Sequence, residues 1–223
     1  MSLKCQVACK PALATLAVIA WVGVLLQLWL SINLALTNGK AVVDGIVIYF
    51  GYFTVLTNLF VALVATLPLI ANGSSLGNYF SKPVVLGAVT TSIIMVLITY
   101  HFLLRNVWQP QGLQLIVDIV MHYVVPVLTL AYWLIFSPRS NLSILAPITW
   151  CLYPLSYLIY VLVRGELLES YPYYFIDVTK IGYEKVLLNS FGLLVAFIIL
   201  GFVVLAVTAL RNRLCAPNPV KSE

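Results

Sequence analysis

Charged residues are scarce in this sequence, and their scarcity excludes a soluble protein. Charged side chains make up 9% of the 223 residues, whereas a soluble domain has about 25%. Hydrophobic residues make up 62%, and the mean hydropathy is +1.05. So few charges cannot cover a water-facing surface, and we therefore expect an integral membrane protein.

Other absences narrow the classes of function. The net charge is +5, but the basic residues form no run or stripe, so we expect no nucleic-acid partner. The four cysteines contain no C-x-x-C pair and have no His at metal-ligand spacing. We therefore expect no metal and no other cofactor. The sequence shows no internal repeat, so it gives no support to a transporter built from inverted halves.

Long apolar runs are the main feature that the sequence does have. Strands of a membrane barrel would alternate polar and apolar residues, whereas these runs are unbroken, which indicates helices. A spanning helix needs about 20 apolar residues. The sequence predicts an all-α polytopic membrane protein, a single domain over residues 1–223 in which six transmembrane helices form one bundle. The predicted helices cover residues 12–36, 44–71, 83–104, 113–136, 143–163 and 184–210.

The longest predicted connection, residues 164–185, is acidic and aromatic. Its aromatic cluster is Tyr171, Pro172, Tyr173, Tyr174 and Phe175. Such rings are typical of the headgroup level of a membrane. Long loops in compact proteins are also often functional, so a cap over an opening in the bundle is an equally good and compatible interpretation.

The distribution of Lys and Arg predicts the orientation in the membrane, because cytoplasmic loops carry an excess of basic residues. With both termini in the cytoplasm, the cytoplasmic side has Lys4, Lys10, Lys82, Arg139, Arg211, Arg213 and Lys221. The opposite side has the smaller set of Lys40, Arg105, Arg164, Lys180 and Lys185. We therefore expect both termini in the cytoplasm and the aromatic loop outside.

Ionisable residues within spanning helices are costly and are candidate functional residues. Asp118 and His122 stand four positions apart in the fourth helix, hence on one face. Pro126 removes the helical partner of the His122 carbonyl, so we expect a kink there. The pair is either a structural contact or a general base whose ring Asp118 orients.

The second helix carries a polar face of Thr54, Thr57 and Asn58, at positions i, i+3 and i+4. Taken alone, these residues are more typical of hydrogen bonds between helices. Thr54 and His122, however, each lie about ten residues into helices that run in the same direction. At about 1.5 Å per residue, their depths match, so the two can meet if the helices pack together.

The fifth helix carries Tyr153, Tyr157, Tyr160 and Arg164 at helical spacing. The hydroxyls either line a cavity or, with Arg164, mark the membrane interface. Near the end of the third helix, His101 is more typical of a residue at the headgroup level. In the first helix, Gln27, Ser31 and Asn33 can reach a polar interior.

Three motifs together resemble a family. They are Phe53-Thr54-x-x-Thr57-Asn58, Asp118-x-x-x-His122-x-x-x-Pro126, and Tyr171-Pro172 after the fifth helix. In this order they resemble the Pr-six-Pr bacterial membrane proteins, which are similar to the androgen-induced-gene and androgen-dependent-TFPI-regulating (FAR-17a-like) membrane proteins of animals.

The animal members are six-helix threonine hydrolases of fatty acid esters of hydroxy fatty acids. The resemblance implies Thr54 and His122 as the catalytic pair, with Thr57 as a rival nucleophile, and a bacterial inner membrane as the location.

Two functions stay open on the sequence. One is an intramembrane hydrolase of fatty-acyl lipid esters, with Thr54 as nucleophile, His122 as base and Asp118 orienting the ring. Asn58 or tyrosines of the fifth helix would then stabilise the oxyanion. The alternative is a non-catalytic lipid- or small-ligand-binding protein, or a small transporter, that uses the same polar pocket. The predicted contacts with the substrate are Thr57, Asn58, Tyr153, Tyr157 and Tyr160. The expected partners are membrane lipids and an acyl ester, with no prediction of oligomeric state.

Overall fold

The computed structural model describes residues 9–138 and 140–214. Six of its helices are long and apolar enough to span a membrane, which confirms the predicted all-α six-helix membrane protein. The six spans are Lys10–Thr37, Phe53–Ile70, Pro83–Leu104, Leu113–Phe136, Ala146–Leu168 and Val178–Leu214. Of the residues that predict the orientation, Lys4, Arg139 and Lys221 lie outside the described residues.

The described residues form ten α-helices. They are α1 Lys10–Thr37, α2 Val42–Phe50, α3 Phe53–Ile70, α4 Ser75–Phe80, α5 Pro83–Thr99, α6 Leu113–Ile119, α7 Val125–Phe136, α8 Ala146–Trp150, α9 Leu152–Leu168 and α10 Val178–Leu214. Of these, α2 and α4 lie outside the six spans. A 3₁₀ turn, Tyr174–Ile176, precedes α10. Helix α10 is interrupted at Gly182, whose φ of 77° suits glycine.

The second predicted helix, residues 44–71, is not continuous. It breaks between α2 and α3, at Gly51 and Tyr52. The break exposes carbonyls at the end of α2, and side chains of α9 bind them. Tyr157 Oη donates to Gly51 O over 3.0 Å, Tyr160 Oη to Phe50 O over 3.3 Å, and Arg164 Nη2 to Val47 O over 3.2 Å. These contacts from another helix replace the lost helical hydrogen bonds.

The expected irregularity at Pro126 takes the form of a wider helical turn before the proline. The preceding segment, Val120–Val124, forms a π turn, in which the Val125 N–H donates to the Val120 carbonyl. The wider turn accommodates the missing N–H of proline. A second π turn, Tyr100–Leu104, ends the third span. Such turns are frequent at functional sites, and here the two lie side by side.

The loop predicted over residues 164–185 is shorter, because α9 continues to Leu168 and α10 begins at Val178. Its ends are fixed by polar contacts. Asp177 Oδ1 accepts hydrogen bonds from the backbone N–H and hydroxyl of Thr179, and Asn189 Nδ2 donates to Phe175 O over 3.0 Å. Burial opposes the charge of Asp177, but the bonds from Thr179 and Lys180 lower its pKa. The end of the loop is therefore held against α10 by these hydrogen bonds.

The bundle packs most closely where glycines meet bulky neighbours. A Cβ on Gly87 would lie 2.7 Å from Trp150 Cζ2, and one on Gly45 would lie 2.6 Å from Ile32 Cα. Helix α2 thus lies directly against the backbone of α1. The contact at Gly45 fixes α2 against α1 before the break, and the contact at Gly87 fixes α5 against Trp150 of α8.

Candidate functional site

A cavity of about 320 Å³ lies at the end of the bundle where the first span ends and the second begins. The π turns at Tyr100 and His122 and the loop at residues 172–174 enclose it. Its polar lining consists of Gln27, Ser31, Tyr52, Thr54, Tyr100, Gln114, Asp118, His122, Tyr173 and Tyr174. The cavity therefore brings together Thr54, Asp118 and His122, three residues that the sequence singles out.

Three contacts fix the ring of His122. Its Nδ1 lies 3.0 Å from the carbonyl oxygen of Asp118 and 3.2 Å from Asp118 Oδ1. The ring stacks on Tyr100 with centroids 3.9 Å apart and an interplanar angle of 18°. Tyr100 Oη also donates to Asp118 Oδ2. Asp118 is 4% exposed, so a buried carboxylate satisfied by two partners orients the histidine.

This arrangement assigns the tautomer of His122. A backbone carbonyl only accepts hydrogen bonds, so the Nδ1 that lies against the Asp118 carbonyl carries the proton. Nε2 is then the basic nitrogen, and no hydrogen bond to it is found among the described residues. A general base requires this tautomer and an unprotonated nitrogen that is free to accept a proton, as Nε2 is here.

Thr54 lies in the first turn of α3, immediately after the break between α2 and α3. It is 8% exposed and lines the cavity. The first N–H groups of a helix have no partner within the helix and carry a partial positive charge. The backbone N–H groups of Thr54 and Val55 therefore lie at the edge of the cavity, which both residues line.

Tyr173 reaches from the loop to Thr54. Its hydroxyl accepts a hydrogen bond from the Thr54 N–H over 3.4 Å and interacts with the Thr54 side chain. Its ring stacks on Phe175, with centroids 5.2 Å apart. Burial raises the pKa of Tyr173 to about 12, so its hydroxyl is neutral at physiological pH. The aromatic loop is therefore a cap over the cavity.

Thr57 and Asn58 share the face of Thr54 but line neither this cavity nor the second one described below. Thr57 Oγ1 donates to Phe53 O over 2.8 Å and lies 2.9 Å from Tyr153 Oη. Asn58 Nδ2 donates to Thr54 O and Met121 O. Both side chains are fully buried. The contacts with Tyr153 and Met121 connect helices, which is the structural interpretation of this face, whereas Asn58 Oδ1 is buried without a hydrogen-bond partner among the described residues.

The tyrosines of the fifth span differ in their surroundings. Tyr153 and Tyr160 line neither cavity, since their hydroxyls bond to Thr57 and to the end of α2. Tyr157 lines a second, apolar cavity of about 110 Å³, which also reaches Thr54. Because these hydroxyls are engaged, they are not donors for an oxyanion in this arrangement.

Tyr100 is the functional candidate that the sequence analysis missed. An aromatic residue at the end of an apolar helix carries no distinctive signal, and attention fell on its neighbour, His101. His101 instead interacts with Tyr123 Oη at 3.2 Å and with Arg105 Nη1 at 3.1 Å, outside the cavity. The spacing of Tyr100 from Asp118 along the chain predicts no contact, so only the packing of the third and fourth spans brings them together.

No protein-family model, curated protein or solved structure matches the chain. Within residues 9–138 and 140–214, no three His, Cys, Asp or Glu side chains are close enough to bind a metal ion.

Proposed function

We propose that this protein is an intramembrane hydrolase of lipid esters, with Thr54 as nucleophile and His122 as general base. The observation that carries the proposal is that Thr54 and the Asp118–His122 pair line one cavity beneath a cap of aromatic residues. The order of the motifs that resemble threonine hydrolases agrees with it. The cavity belongs to a bundle of membrane spans, so a substrate with apolar chains fits its surroundings.

The chemistry follows the general scheme of an activated hydroxyl. His122 Nε2 takes the proton of Thr54 Oγ1 as this oxygen attacks the ester carbonyl. The imidazolium, stabilised by Asp118, then protonates the departing alcohol, which leaves an acyl ester on Thr54. Water attacks this ester and gives a proton to His122. The carboxylic acid leaves, and the Thr54 hydroxyl regains its proton.

The donors for the oxyanion are the N–H of Val55 at the start of α3 and the hydroxyl of Tyr173. This hydroxyl accepts a hydrogen bond from the Thr54 N–H, which leaves its own proton for a negative oxygen near Thr54. The partial positive charge of the helix end adds to their effect. This assignment replaces Asn58 and the tyrosines of the fifth span, whose donor groups already bind other groups.

The experiment combines a covalent probe with a reporter substrate. Purified protein is expected to label with a fluorophosphonate and to cleave a long-chain ester reporter. Thr54→Ala and His122→Ala should each abolish both signals, whereas Thr57→Ala should retain both. Thr91→Val is a matched control, because Thr91 is a buried threonine bonded only to the carbonyl of Gly87. Labelling that survives Thr54→Ala but is lost in Thr57→Ala would move the nucleophile to Thr57.

A binding function is the second candidate, and one contact favours it. Gln114 Nε2 donates to Gln27 Oε1 over 2.9 Å in the wall of the cavity, and neither residue has a part in hydrolysis. Such amides suit the polar end of a small ligand or lipid. If folded protein neither labels nor cleaves several esters, the cavity is a site for binding or transport.

We also propose a bacterial inner membrane as the location and the cytoplasm as the side of both termini. The family resemblance supports the membrane, and the distribution of Lys and Arg supports the orientation. The cavity and its aromatic cap then face the outside of the cytoplasmic membrane, from which water can reach Thr54.

A further inference from the structure

The second cavity lies between the third, fifth and sixth spans and is almost entirely apolar. Its walls include Val96, Leu155, Leu158, Leu194 and Phe197. Leu155 lines the cavity and is 38% exposed, so the wall that it forms is not fully covered by neighbouring helices. The cavity therefore reaches the surface that faces lipid.

The fifth and sixth spans approach each other above and below this cavity. On the side of the loop, Val161 and Val186 are fully buried in one apolar cluster with Phe175. On the other side, a Cβ on Gly201 would lie 3.0 Å from Pro147 Cβ. Between these two levels the cavity separates the helices. The result is a lateral window in the wall of the bundle.

Thr54 lies at the boundary of the two cavities. Thr54, Tyr100, Leu104 and Tyr173 line both of them. The polar cavity holds Asp118 and His122, while the apolar cavity holds neither. A group that reacts at Thr54 therefore has a polar side and an apolar side.

We propose that the apolar cavity binds the acyl chain of the ester substrate, which enters sideways from the bilayer through the window between the fifth and sixth spans. This proposal rests on the proposed hydrolase. The carbonyl lies at Thr54, the acyl chain extends past Val96 and Leu194, and the alcohol lies in the polar cavity. An acyl chain that passes from lipid into this cavity exchanges one apolar environment for another. The cavity of about 110 Å³ holds the part of the acyl chain next to the carbonyl, and the rest of a long chain stays in the bilayer beyond the window.

Ser190 provides a variant that tests the cavity. Ser190 lines the cavity, and its hydroxyl is buried with no hydrogen-bond partner among the described residues. Ser190→Leu fills the space and removes no hydrogen bond, so folding should be retained. Ser156→Leu adds the same bulk on the exposed side of the fifth span and is the matched control.

The measurement is hydrolysis of acetyl, octanoyl and palmitoyl esters of one reporter alcohol. In the unchanged protein, kcat/KM should be higher for the two longer chains. Ser190→Leu should lower kcat/KM for the octanoyl and palmitoyl esters at least tenfold. It should change kcat/KM for the acetyl ester less than twofold. Ser156→Leu should leave kcat/KM for all three esters unchanged. An equal loss for all three esters, or no loss, would overturn the acyl-chain assignment while the hydrolase stands. If the unsubstituted protein hydrolyses none of the three esters, the proposed hydrolase function itself is contradicted.

A second readout does not depend on turnover. A palmitate analogue with a terminal diazirine should crosslink to the fifth and sixth spans in the Thr54→Ala protein, and excess palmitate should compete. Ser190→Leu should reduce this crosslinking. Crosslinking that palmitate does not compete and that Ser190→Leu does not change would mean that bulk lipid alone fills the window, which would also overturn the proposal.

Discussion

His122 is held by one residue of its own span and one of a neighbouring span. Asp118 binds its Nδ1, and Tyr100 both stacks on the ring and donates to the same carboxylate. Each contact limits a different motion: the hydrogen bond sets the tautomer, and the stacking sets the plane of the ring. Asp118 and Tyr100 are therefore positioning residues in the proposed reaction, since they act through His122.

Asp118→Asn should leave the fold intact and lower kcat by about a hundredfold or more, because a neutral amide no longer stabilises the imidazolium, while the backbone carbonyl of residue 118 still binds Nδ1. Tyr100→Phe should retain the stacking and lower kcat about tenfold, since the carboxylate loses one charge-assisted hydrogen bond. The measurement is ester hydrolysis under saturating substrate.

Tyr123→Phe is the control for Tyr100→Phe. Tyr123 packs edge-on against Tyr100, but its hydroxyl interacts with His101, outside the cavity. This variant should keep full activity. If Tyr100→Phe and Tyr123→Phe lower kcat equally, Tyr100 has no specific part in orienting His122.

At the level of elements, the break between α2 and α3 determines where Thr54 lies. A continuous helix would bury the N–H of Thr54 in its own ladder. The break instead leaves the first N–H groups of α3 without partners in the helix, and the N–H of Thr54 donates to Tyr173 Oη. The carbonyls of α2 that the break releases are bound by Tyr157, Tyr160 and Arg164 of α9. The tyrosine stripe of the fifth span therefore supports the site without lining the polar cavity.

The cap depends on a glycine in α9. A Cβ on Gly165 would lie 2.0 Å from Tyr171 Cε1, so Gly165→Ala should displace the start of the loop and move Tyr173 away from Thr54. We expect at least a tenfold loss of kcat/KM with the spans intact. The measurement is hydrolysis together with thermal unfolding of the purified protein.

Gly192→Ala is the matched change, because a Cβ on Gly192 meets nothing within 4 Å. Replacement of an exposed helical glycine by alanine stabilises a helix by about 0.5–1 kcal/mol. This variant should keep its activity and unfold at the same or a higher temperature. Full activity in Gly165→Ala would show that the position of the loop does not matter for the reaction.

At the scale of the whole molecule, both cavities lie towards one end of the bundle. The polar cavity lies beneath the cap, and the apolar one opens sideways. Water and lipid can thus reach Thr54 from different directions. This arrangement is what a hydrolase of membrane lipids requires, since its two reactants come from different phases.

The proposed orientation predicts which turns are accessible from outside the cell. In a background that lacks the four native cysteines, Lys40→Cys and Gln111→Cys should react with a membrane-impermeant maleimide in intact cells. Asn72→Cys should react only after the membrane is permeabilised. All three positions are exposed in turns or loops between spans. The reverse pattern would place the termini outside, and labelling of all three in intact cells would contradict the six-span topology.

The sequence by itself determines the class of protein, the number of spans and the identity of the ionisable pair. These follow from local causes: hydropathy over about 20 residues defines a span, and a separation of four positions puts Asp118 and His122 on one face. Thr54 is also found from sequence, through its depth and a family resemblance.

Only the tertiary structure decides which of the polar residues face a cavity. Thr54, Thr57 and Asn58 lie on one helical face, yet Thr57 and Asn58 bond to neighbouring backbone and side chains while Thr54 is left at the cavity. The break before α3 depends on side chains of α9 about a hundred residues away in sequence, and Tyr100 meets Asp118 only because two π turns pack together. Such contacts depend on how helices pack against one another, and periodicity within one helix carries no information about its partner.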